Sequence, residues 1–91
     1  MADKFVRLGT VEKPEHEQMR IYATLRCYSM LSEREQRYIR ELCREVGGEW
    51  EAVLFRFLTG RESFTATVLR EHIPEGKLRQ MRGEVYRRWE L

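Results

Sequence analysis

The sequence predicts an all-α protein, a compact bundle of about five helices that closes with a helix-turn-helix-like pair. Three observations carry that expectation. Apolar residues recur at helical spacing from Pro14 almost to the end of the chain, serines and glycines punctuate them where caps belong, and no segment is rich in strand-type residues. At 91 residues, 42% of them hydrophobic and 35% charged, the chain has material for one core, so residues 14–91 are expected to form a single helical domain.

Residues 1–13, MADKFVRLGTVEK, carry no helical period and end at Pro14. They are expected to be a flexible N-terminal arm with a short extended piece from Phe5 to Leu8. A first helix follows from Pro14 to about Met30. Proline suits a helix start, Glu15 and Glu17 suit the positive end of its dipole, and Ile21, Leu25 and Tyr28 form its inner stripe. The second helix has the clearest start: Ser32-Glu33-Arg34-Glu35 is a capping box, and Tyr38, Ile39, Leu42, Cys43 and Val46 make one apolar face up to Gly47-Gly48. Its outer face alternates Arg34, Arg37, Arg40 and Arg44 with Glu33, Glu41 and Glu45, which suits a solvated surface better than a phosphate-binding one.

The third helix holds Trp50, Val53, Leu54, Phe57 and Leu58, and as the most hydrophobic segment it belongs at the centre of the core. Phe55 lies off that stripe and needs cover from a neighbouring helix or a partner chain. A short fourth helix starts at Ser63 and presents Phe64, Val68 and Leu69 inward, stopping near His72. The fifth begins at Ile73-Pro74 and turns Leu78, Met81, Val85 and Trp89 to the core. Gly76, Lys77, Arg79, Gln80 and Gly83 then project from its other sides, with Arg82 close to the apolar stripe and able to cover it with its stem.

Charge and cysteine content narrow the function. Seventeen basic residues face fifteen acidic ones, net +2, a weak signal for a phosphate-gripping domain. The last third, from Arg61 to Leu91, is the most basic block, with seven basic and five acidic side chains. Arginine greatly outnumbers lysine, and arginine is the better residue for bidentate contact with phosphate or guanine. Cys27 and Cys43 have no zinc-type spacing and the only histidines are His16 and His72, so no metal is expected. No cofactor loop and no converging nucleophile and base are present, and no enzymatic activity is expected. The N-terminus has no secretory core and no apolar run approaches a membrane span, so a cytoplasmic protein with reduced thiols and no membrane partner is expected.

From Trp50 to Trp89 the chain reads as a buried helix, a glycine stop, a short helix, a tight Ile-Pro turn and a longer basic amphipathic helix, the plan of a helix-turn-helix. The stretch LFRFLTGRESFTATVLREHIPEGKLRQMRGEVYRRW resembles the sigma-factor-like helix-turn-helix of small phage and mobile-element transcription regulators, and LSEREQRYIREL is similar to the helix that opens such domains. Leu54 to Gly60, Ser63, Ile73, Leu78 and Arg82 match the family's features in order. The turn departs from the pattern, with Val68 where a small residue is expected, Glu71 where an apolar one is, and His72 where glycine is common. The resemblance implies a sequence-specific regulator that inserts its last helix into the major groove of double-stranded DNA. Arg79 would take guanine, Gln80 adenine, and Lys77 or Arg82 phosphates, with Arg87 further along the same helix. The alternative is a protein-interaction module or inhibitor, possible as a homodimer, in which Tyr22, Tyr28, Phe55 and Tyr86 form an exposed patch.

Overall fold

The computed structural model describes residues 5–91. The elements are α1 (Glu15–Arg26), a 3-10 turn at Tyr28–Met30, α2 (Glu33–Gly47), a 3-10 turn at Gly48–Trp50, α3 (Glu51–Thr59), α4 (Phe64–Glu71) and α5 (Glu75–Arg88). No strand occurs among the described residues. The all-α expectation therefore holds.

Local chemistry accounts for the helix boundaries. The Glu35 amide donates to Ser32 Oγ at 3.2 Å and the Ser32 amide donates to Glu35 Oε1 at 3.0 Å, so the capping box that opens α2 is fully formed. At α4 the Ala66 amide donates to Ser63 Oγ at 3.1 Å. Between α2 and α3 the backbone turns at Gly48, whose φ of +56° is a conformation that side-chain-bearing residues rarely adopt. At the end of α3 a Cβ on Gly60 would lie 2.5 Å from the Arg56 carbonyl oxygen, so glycine is required there for a different reason.

α3 is the hub. It packs against α1, α2, α4 and α5, and Val53, Leu54, Phe57 and Leu58 are buried on it, as its spacing predicts. α5 lies across α2 and α3 and buries Leu78, Met81 and Val85, with Trp89 covered just beyond its last turn. The Tyr38 ring stands edge-on to Trp89 at 5.6 Å, and its hydroxyl accepts from the Glu90 amide at 2.8 Å, which fastens the end of the chain to α2.

Three expectations need correction. The first concerns residues 1–13. Residues 1–4 lie outside the described residues, but 5–13 do not form a free arm, because Leu8 and Val11 are buried and Gln18 binds the segment's backbone. Gln18 Oε1 accepts from the Leu8 amide at 2.8 Å, while Nε2 donates to the carbonyls of Leu8, Val11 and Lys13 at 3.2, 3.3 and 3.0 Å. Lys13 Nζ also donates to the Trp89 carbonyl at 2.8 Å, tying this segment to the far end of the chain. The second concerns α4: Leu69 is 69% exposed, and Thr67 is buried in its place. With about 100° of rotation per residue, Phe64, Thr67 and Val68 share the line that meets α3, and Leu69 is carried past it. The third concerns the aromatics. Tyr28 covers Phe55 edge-on at 4.9 Å, Tyr22 meets Phe5 at 5.5 Å, and Tyr86 is buried, so these four aromatic residues form no exposed patch.

Candidate nucleic-acid interface

Five side chains on α5 were singled out by sequence, and the fold divides them. With Leu78, Met81 and Val85 turned inward, Lys77, Arg79, Gln80 and Arg87 are exposed and Arg82 is half-buried. Residues 77 and 79 are about 200° apart on a helix, so Lys77 and Arg79 occupy opposite edges of the solvent-facing arc. Gly76, Gln80 and Arg87 fall between them. At Gly76 a Cβ would meet nothing within 4 Å, so the middle of the arc is open at the N-terminal end of α5.

The edges differ in surroundings. Arg79 leans towards α4, where its guanidinium carbon is 5.3 Å from the Phe64 ring centre, and it pairs with Glu75 one turn back. Lys77 and Gln80 border a hollow between α5 and α2 that also holds Glu45, Glu84 and Arg88. Arg87 pairs with Glu84 at 3.1 Å and lies over Gly83, where its Nη1 would be 3.3 Å from an added Cβ. Gly83 is consequently buried and does not project as expected. α5 as a whole carries five basic and two acidic residues, net +3 against +2 for the full chain.

Arg82 leaves this face altogether. Its guanidinium carbon lies 4.9 Å from the Phe64 centroid and 6.0 Å from that of Phe57, and its Nε is buried with no acceptor among the described residues. Burial lowers its pKa, with the nearby Arg79 charge adding to the effect. The apolar neighbours of position 82 in the sequence were the available signal for this placement. Sequence reasoning missed Arg26, which reaches the same region from α1, donates to the Leu58 carbonyl and lies 4.5 Å above the Tyr22 ring. Its position one residue after the stripe residue Leu25 was the only hint.

The turn between α4 and α5 places a histidine in a conformation that glycine adopts most readily. His72 has φ 58° and ψ 34°, the left-handed conformation that a helix C-terminus commonly takes. Ile73 is buried and Pro74 precedes the first turn of α5, so three residues, 72–74, join the two helices.

Among the described residues no group of His, Cys, Asp or Glu side chains could hold a metal ion, and no helix is long and apolar enough to cross a membrane. Burial, aided by the charge of Glu51, pushes the Cys43 thiol up to about 12, and Cys27 is exposed. No family model matches the chain, and neither does any curated protein or solved structure.

Proposed function

We propose that this chain binds double-stranded DNA through the outer arc of α5 and acts as a regulator, reading sequence without performing chemistry. One observation carries the proposal: a helix of net charge +3 has one side locked in the core and the opposite side uncovered. A helix held this way can enter a major groove without the domain rearranging.

The angular positions assign roles. Gln80, at the middle of the arc, meets base edges and can pair bidentately with adenine, while Gly76 lets the backbone approach closely. Lys77 and Arg79, at the two edges, take phosphates on opposite sides of the groove, and Arg87 takes a third about two turns further on. This moves Arg79 from base contact to phosphate contact and removes Arg82 from the interface. Releasing Arg79 from Glu75 and Arg87 from Glu84 opposes binding little, because ion pairs this exposed are screened by solvent and hold their partners weakly. The left-handed His72 supports the same reading, since it supplies the backbone geometry for which the resembled family uses glycine.

Fluorescence anisotropy with a random duplex, measured across a salt series, tests the proposal. Three phosphate contacts give a log–log slope of about −3. Replacing Lys77 and Arg79 by alanine should flatten that slope by about two. Gln80→Ala should leave the slope alone and reduce the preference among selected sequences. Absence of binding at about 50 mM salt would reject the proposal, because electrostatic attraction is strong under that condition.

A further inference from the structure

Phe55 lies off the buried stripe of α3 and is only partly shielded. Tyr28 stands edge-on to its ring at 4.9 Å, yet Phe55 stays half-buried and lines a hollow of about 180 Å³ between α2 and α3. Cys43 and Ala52 line the same hollow and make it largely apolar, with Arg40 and Glu51 as its charged members. Sites for whole small molecules usually exceed about 300 Å³, so this hollow suits a single large apolar side chain better.

Beside the hollow runs a stripe of arginine. Arg40 stands at the hollow, with Arg37 and Arg44 one turn to either side of it on α2, so the three follow one line about 10 Å long. All three are exposed. Arg40 donates to the hydroxyl of Tyr28, a neutral partner that holds the guanidinium in place without matching its charge. Arg37 and Arg44 make no hydrogen bond or ion pair among the described residues. The later acidic residues of α2 turn the other way: Glu45 faces α5 and pairs with Arg88, and Glu41 falls between Arg37 and Glu45 around the helix. Glu33, one turn before Arg37, and Glu51 at the hollow each stand in the first turn of a helix, where the dipole offsets part of their charge. Three arginines thus set the sign of this face.

We propose that this face docks an acidic segment of a partner protein, with one large apolar side chain seated in the hollow and carboxylates beside it meeting Arg37, Arg40 and Arg44. Charge complementarity selects the occupant, because the planar guanidinium fork pairs bidentately with carboxylate. A helical segment with acidic residues three and four positions apart matches the spacing of the arginines. A phosphate backbone would meet the arginines but leave the hollow unfilled, whereas an acidic peptide with an apolar anchor answers both features. The site shares no residue with the outer arc of α5, and the proposal stands whether or not α5 reads DNA.

Selection of short peptides from a random display library on the immobilised full chain tests it. Enriched peptides should carry one large apolar residue flanked by Asp or Glu. A fluorescein-labelled member, followed by anisotropy, should bind the double variant Arg37→Gln/Arg44→Gln about tenfold more weakly than the parent. Ala52→Gln, whose longer side chain fills the hollow, should also weaken it about tenfold. The thermal midpoint should stay near that of the parent in both, because all three positions are exposed. Should Ala52→Gln fail to fold, the arginine variant and a peptide with serine in place of its apolar residue carry the test, with about tenfold weaker binding expected in each. No enrichment, enriched peptides without acidic residues, or affinity unchanged in either variant would overturn the proposal. Displacement of the peptide from the Lys77→Ala/Arg79→Ala variant by a random duplex would also overturn it, because the arginine stripe would then serve a nucleic acid.

Discussion

Gln18 is the residue whose loss the structure predicts most sharply. Its side chain is fully buried and makes one bond to the Leu8 amide and three to the carbonyls of Leu8, Val11 and Lys13. In Gln18→Leu the volume is nearly kept and every one of these bonds is lost. The Leu8 carbonyl keeps the Val11 amide at 3.2 Å, whereas the other three groups have no replacement within the segment. At about 1 kcal/mol net for each hydrogen bond, the loss is about 3 kcal/mol. If residues 5–13 instead peel away so that water satisfies them, Leu8 and Val11 are exposed at about 1.5–3 kcal/mol each, which gives a similar figure. A domain of this length is stable by roughly 5–14 kcal/mol, so the substitution removes a large fraction. Thermal unfolding followed by circular dichroism should show a midpoint lowered by about 15 °C. Limited trypsin digestion should cut after Arg7 much faster in the variant, while the Lys13–Pro14 bond resists in both. A midpoint within about 3 °C of the parent, with cleavage after Arg7 unchanged, would refute the claim that Gln18 holds the segment in place.

Three further outcomes follow from particular residues. His72→Gly should raise the thermal midpoint by about 5 °C, because glycine takes the left-handed conformation without the penalty of about 1 kcal/mol, and His72→Val should lower it. An alkylating reagent at pH 8, followed by mass spectrometry, should label Cys27 quickly and Cys43 only after denaturant is added, because the Cys43 thiol is buried and ionises near 12. Glu62 is held below the ordinary carboxylate range by Arg70, and Glu84 by Arg88 and then Arg87, so their contribution is present above that range and fades as pH falls through it. The difference in thermal midpoint between the parent and Arg70→Gln should therefore shrink between about pH 5 and pH 3, and a difference that stays constant would refute the coupling.

What could be read from the sequence was what neighbours along the chain decide. The start of α2 follows from Ser32 and Glu35, three positions apart, and the start of α4 from Ser63, since each cap uses groups within one turn. The central place of α3 and the inner stripe of α5 follow from apolar spacing alone, because burial requires those side chains to share a face. The exposure of Lys77, Arg79, Gln80 and Arg87 follows as the complement of that stripe.

Tertiary contacts decided the rest. Residues 5–13 have no period because they form no helix, and they are held by a glutamine that recognises their backbone, which leaves no trace in side-chain pattern. Which residues of α4 face inward depended on the line along which it met α3, so Thr67 was covered and Leu69 was not. Arg82 turned away from solvent because Phe57 and Phe64, brought from two other helices, offered it a surface, and Arg26 came to the same region from a fourth element. Periodicity reports which way a residue faces around its own helix; what waits for it there is fixed only when the helices pack.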